Sequence, residues 1–200
     1  MTEWWSYRLS DFLMFAPETY YRLFELYNHA VWPAQIAALA AGVVLLALLR
    51  RPGTRPASLA AMLLAACWFW TAWGYHHHRY ATINWAAEYF AAVFALQGGM
   101  LLLSAIIPGR LRIAPANLLG SIGLGLAAGA ILLYPLIAPV LGRPWSQAEI
   151  FGLMPDPTAL ATIGALLAME RLRIGLLLLP LLWCAVSAAT LWTMAGAGGG

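Results

Sequence analysis

The chain contains no lysine, and only 10% of its 200 residues are charged. A soluble domain carries about 25% charged residues. A composition that is 62% hydrophobic therefore cannot cover a water-facing surface. The missing lysine excludes Schiff-base chemistry on retinal or pyridoxal cofactors. The net charge of +3 rests on arginine alone. The arginines sit in short clusters between apolar runs, a pattern that reads as an orientation signal and not as a nucleic-acid patch. Cysteine is scarce too. Cys67 and Cys184 both lie inside apolar runs and read as packed helix residues; a redox or metal pair requires their helices to touch. No GxSxG, HExxH, phosphate loop or CxxC occurs. Met1 to Ser10 is polar and aromatic, so no cleavable leader is expected.

What the chain has in abundance is apolar length. A membrane-spanning helix needs roughly 20 apolar residues. Six runs are candidates: 30–49, 57–75, 85–107, 116–141, 157–169 and 174–194. They predict an all-α integral membrane protein with about six transmembrane helices. Its expected parts are an N-terminal interfacial helix segment over 1–29, a six-helix domain over 30–195 and a flexible glycine tail over 196–200. Arg50, Arg51, Arg55, Arg110, Arg112, Arg171 and Arg173 fall in loops one, three and five, against Arg8, Arg22, Arg79 and Arg143 at the other end. The positive-inside rule then puts both termini outside the cytoplasm of a bacterial inner membrane. The aromatic residues, the four His and seven of the eight acidic residues gather on the outer side, the expected working face.

Local patterns refine this. Pro17 suits a first helical position, and Glu18, Arg22, Glu25 and His29 form one polar stripe beside the aromatic face of Tyr20, Phe24 and Tyr27. That is an amphipathic helix for the interface. In the fourth run, Ser121, Gly125 and Gly129 recur every four residues, a ridge over which helix backbones can approach. The fifth run starts at Pro155-Asp156-Pro157-Thr158, with Asp156 expected as N-cap. From Pro157 to Glu170 it spans about 20 Å, short of a core of roughly 30 Å. It is thus either partly re-entrant, its start dipping below the surface, or a tilted short helix in a thinned bilayer.

The candidate ligand or ion pocket comprises Glu25, His29, Trp32, His76, His77, His78, Asn84, Glu88 and Asp156. Imidazole and carboxylate suit a transition metal, and His76, His78 and Glu88 are the candidate ligands. A divalent metal and a haem are the cofactors this chemistry admits. Anchoring of helix ends by interfacial His and Trp is the plainer alternative, as is a pH-responsive cluster. Consecutive helical residues point about 100° apart, so three successive His cannot face one ligand. Glu88 lies a turn inside the third run, and an intramembrane carboxylate faces a cavity or a partner, here Arg79 or the His run. Gln97 lies nearly opposite Glu88 and suits a bond to a neighbouring helix.

Three segments resemble a bacterial multi-pass membrane family known as domain of unknown function 6064. They are Phe15-Ala16-Pro17-Glu18-Thr19-Tyr20 through Asn28-His29-Ala30-Val31-Trp32-Pro33-Ala34-Gln35, Trp73-Gly74-Tyr75-His76 through Ile83-Asn84-Trp85-Ala86-Ala87, and Pro155-Asp156-Pro157-Thr158 with Thr162-Ile163-Gly164. The resemblance implies the membrane architecture and the working face, and no substrate. The family pattern often has Cys between the two prolines, where this chain has Asp156, which removes thiol chemistry from what the resemblance implies. The expected function is non-enzymatic: a small transporter, channel or ligand-binding membrane protein with an outward-facing pocket. A metal- or haem-dependent redox component and an accessory subunit are the rivals. The bilayer is the expected partner, with room for a homo-oligomer or a larger membrane complex.

Overall fold

A computed structural model describes residues 16–197. Residues 1–15 and 198–200, which include the start of the expected interfacial segment and most of the expected tail, lie outside the described residues. The described chain is helical, with no strand among the described residues. In order, α1 is Pro17–Ala30, α2 Ala34–Leu49, α3 Thr54–Trp70, α4 Ala87–Ile106, α5 Leu118–Ala128, α6 Ile137–Val140, α7 Pro155–Leu167 and α8 Ile174–Ala197. Four helical stretches are long and apolar enough to cross a membrane: Thr54–Thr82, Ala87–Ile106, Leu118–Val140 and Ile174–Ala195. A fifth is counted if α1 and α2, which meet at 92°, form one bent span.

The first of these stretches, Thr54–Thr82, is longer than its apolar run, 57–75, suggests. Past Trp70 the helix widens into π-helical turns over Thr71–His77. The Thr71 hydroxyl donates to the Cys67 carbonyl at 2.6 Å at this transition, and the side-chain bond competes with the α-helical ladder. The third stretch, Leu118–Val140, likewise passes from α5 through π-helical Gly129–Leu133 and a 3-10 turn at Tyr134–Leu136 into α6.

The short α7 is the centre of the molecule. It packs against α5, α8 and α3, and ten of its thirteen residues are buried. Small residues allow this. Gly123 and Ala127 of α5 meet Gly164 of α7 so closely that a Cβ on Gly164 would lie 2.5 Å from the Gly123 carbonyl oxygen and 2.6 Å from the Ala127 nitrogen. The expected ridge is on the wrong face. Gly125 and Gly129 have open space where a Cβ would sit, and Ser121 is exposed. Close approach needs small residues on the α7 side of α5, and these are Gly123 and Ala127. Trp68 of α3 donates to the Thr162 hydroxyl at 2.9 Å and ties α3 to α7.

At one end, α1 lies against the segment leading into α7. Asn28 donates to the carbonyls of Ser146 and Ala148, both at 2.9 Å, and Tyr27 donates to the Leu153 carbonyl at 3.2 Å. Gly152, at φ +79°, supplies the left-handed turn there that a side chain would strain. At the other end, single backbone bridges join Gly53 to Ile113 and Ile113 to Met169. They hold the three arginine-bearing loops together.

Candidate functional site

Helix α7 begins at Pro155, and its N-cap is Met154, which makes no side-chain cap bond. Asp156 is therefore not the N-cap. Pro155 already occupies the first helical position, so the Asp156 side chain is free to point sideways. It reaches into the bundle, where Oδ1 accepts the Trp183 indole N–H at 2.7 Å. Oδ2 accepts the Ser187 hydroxyl at 2.5 Å and the Tyr134 hydroxyl at 3.2 Å. Trp183 and Ser187 are one turn apart on α8 and present one face. Asp156, Tyr134, Leu160, Cys184, Ser187 and Leu191 line a cleft of about 200 Å³. Among the described residues, no arginine or histidine forms an ion pair with Asp156.

His76 sits on the neighbouring wall. It is fully buried, with ring centroids 4.3 Å from Phe94 and 4.9 Å from Trp183. Among the described residues, neither ring nitrogen has a hydrogen-bond partner. Trp183 thus touches both groups, His76 through its ring and Asp156 through its N–H. Tyr75, Tyr80 and Phe90 complete an aromatic cluster around the imidazole.

The other residues of the expected pocket are elsewhere. His77 Nδ1 pairs with Glu88 Oε2 at 2.9 Å, and both side chains are exposed. Glu88 falls in the first turn of α4, which starts at Ala87. It is therefore not a desolvated carboxylate a turn inside a span. His78 is exposed and lies against the Trp73 ring. Asn84 is buried, but its oxygen accepts the Ala86 N–H at 2.9 Å and shapes the turn before α4. Glu25 pairs with Arg22 at 2.7 Å, and that bond holds its carboxyl below the usual range. His29 and the exposed Trp32 line a separate cleft with Asn28, Gln35, Trp145 and Ile150. The nine residues do not share one pocket. His76 is buried while His78 and Glu88 are exposed, and no three His, Cys, Asp or Glu side chains among the described residues cluster as metal ligands.

The residues that sequence reasoning missed are Tyr134, Trp183 and Ser187. A four-residue spacing of Trp and Ser inside the last apolar run is the only trace they leave. Gln97 donates to the Leu176 carbonyl at 2.9 Å, a bond to a neighbouring helix as its position suggests. Cys67 and Cys184 are free thiols. Cys67 faces Gly152, and Cys184 lies in the Asp156 cleft. Glu149, in the loop before α7, is held well above the usual carboxylate range. Burial is the main cause, the Asp156 charge adds to it, and Arg143 opposes it.

No curated protein and no solved structure matches the chain. One family model does, over residues 17–195, and its description is a family of unknown function. The chain belongs to that family, DUF6064.

Proposed function

We propose that the chain is a six-pass bacterial inner-membrane protein that binds or moves protons or small cations through Asp156, without enzymatic chemistry. The observation that carries this reading is a carboxylate buried at the start of the central helix, held by three neutral donors and, among the described residues, without a cationic partner. An ionisable group inside a membrane is costly and marks an ion or proton pathway when it lacks a counter-ion. A proton or a small cation supplies the missing positive charge, and the cleft beside Asp156 supplies access.

In this reading α1 lies in the interface, α2 is the first pass, and α7 is a fifth pass enclosed by the others. The short, protein-covered start of α7 suits a pass whose start dips below the surface, because irregular backbone at membrane depth needs protein around it. The bridges that gather loops one, three and five support a common arginine-rich end, which the positive-inside rule assigns to the cytoplasm. Both termini, α1 and the entrance to the site then face outward.

The test uses purified protein in liposomes loaded with a pH-sensitive dye. Imposed proton gradients, with sodium, potassium or magnesium present, should dissipate faster than in empty liposomes. Asp156→Asn should remove that flux, or the cation-dependent stabilisation if the protein binds without transporting. Wild type and Asp156→Asn behaving alike in both assays would refute the proposal.

A further inference from the structure

The opposite end of the molecule carries a second feature. A groove of about 510 Å³ runs between α4 and α8 on the outer surface of the bundle. Its walls are Met100, Leu103 and Ile107 on one side and Leu172, Ile174 and Leu176 on the other. Leu103, Ile107, Leu172 and Ile174 are all exposed. At the loop end the groove stops at Arg110 and Arg173, and these two also line an adjoining polar cleft of about 350 Å³ that holds Arg112 and Arg171.

The arginines are positioned. Arg173 donates to the Arg110 carbonyl at 2.6 Å, and Arg110 Nε donates to the Ser104 hydroxyl at 3.2 Å. Arg112 is neutralised by Glu170 at 3.4 Å. Among the described residues, no carboxylate pairs with Arg110 or Arg173. The first turn of α8, at Ile174 and Gly175, adds the positive end of a 24-residue helix to the same spot.

We propose that this groove is a binding site for an anionic glycerophospholipid. The phosphate sits between Arg110 and Arg173, and an acyl chain lies along the α4–α8 groove. The charge and the apolar groove meet at the same two residues, and that combination selects an amphiphile over a soluble anion. Basic pockets between membrane helices on the arginine-rich side bind anionic headgroups in this way. The proposal rests on α4 and α8 being membrane spans, which is tested separately by whether detergent is needed to release the chain from membranes.

The experiment titrates purified, detergent-solubilised protein with phosphatidylglycerol, phosphatidylcholine or inorganic phosphate. Native mass spectrometry counts bound lipid, and thermal denaturation is followed alongside. Phosphatidylglycerol should bind several-fold more tightly than phosphatidylcholine, and phosphate alone should not stabilise. The preference should fall roughly fivefold for each arginine removed in Arg110→Gln and Arg173→Gln. Arg110→Lys should keep most of it. Leu103→Trp, which fills the groove and leaves the charges, should lose bound phosphatidylglycerol. Arg50→Gln, outside the groove, should change nothing. Equal binding of the two lipids would overturn the proposal, as would a preference that survives the double Gln variant or is lost in Arg50→Gln. Stabilisation by phosphate equal to that by phosphatidylglycerol would make the site one for a soluble anion and overturn the lipid assignment.

Discussion

Replacing Asp156 separates a structural carboxylate from a working one. The wild-type side chain accepts three hydrogen bonds, from Trp183, Ser187 and Tyr134. In Asp156→Ala all three donors lose their acceptor. Trp183 and Ser187 are buried, so their donors stay unpaired. Each buried donor left without a partner costs about 1–3 kcal/mol. Hydrogen bonds between membrane helices are weaker, averaging about 0.6 kcal/mol. The two estimates bracket a loss of roughly 2–6 kcal/mol, at or above what an N-cap alone contributes. Asp156→Asn behaves differently. Its carbonyl can take the Oδ1 place and accept from Trp183, and its NH₂ can take the Oδ2 place. Ser187 and Tyr134 are hydroxyls, which can turn to accept from that NH₂. Asn should thus fold within about 1 kcal/mol of wild type, while ion binding disappears with the charge. Thermal denaturation of the three proteins in one detergent, beside the liposome flux assay, measures both effects. If Asp156→Ala melts with wild type, the hydrogen-bonded cluster does not exist and the reasoning fails.

Gly164→Ala should destabilise by about 1–3 kcal/mol through overpacking against the α5 backbone. Gly125→Ala, facing open space, should be neutral or stabilising by about 0.5–1 kcal/mol; equal melting temperatures would refute the assigned packing face. Glu149 is held above its usual value of 4.5 by burial and by Asp156, so the fold favours its protonated form. Its contribution to stability is full below that value and declines as pH rises through the raised one. Glu149→Gln should therefore flatten the fall in melting temperature as pH rises above 4.5, and an unchanged slope counts against the burial. For topology, a Cys at Thr54 should be labelled only from the cytoplasmic side and one at Ser146 only from outside. The reverse pattern would invert the orientation and the outward-facing site.

The helical class is legible because apolar runs of roughly 20 residues match the length of a spanning helix, whereas a spanning strand needs only about 9–11. The arginine loops are legible for a related reason, since they are the only places where charge recurs at one end of every helical pair. Which polar groups turn inward is harder to read. In the run of three His, only His76 enters the core, because successive helical side chains diverge and leave His77 and His78 outside. Glu88 reads as buried when the apolar run is taken to start at Trp85. The helix starts at Ala87, and the carboxylate falls in its first turn, facing His77. A shift of two residues in a boundary thus moved a charge from the interior to the surface.

Asp156 shows the opposite error. Its flanking prolines mark a helix start, and the short run that follows marks that start as deep. Read locally, that makes it a cap. The structure gives the same residue another role because the helix starts one residue earlier, at Pro155 with Met154 as N-cap, so Asp156 lies inside the first turn. The side chain then needs donors from elsewhere, and they lie 22, 27 and 31 residues along the chain, beyond any local spacing rule. The small residues that let α5 pack against α7 are what keep this start of α7 inside the bundle. Gly123 and Gly164 therefore belong to the argument for the site as much as Asp156 does. Without close α5–α7 packing, a 13-residue helix would expose its polar start to lipid. With it, a carboxylate can sit in the interior among neutral donors, one ring away from a buried histidine.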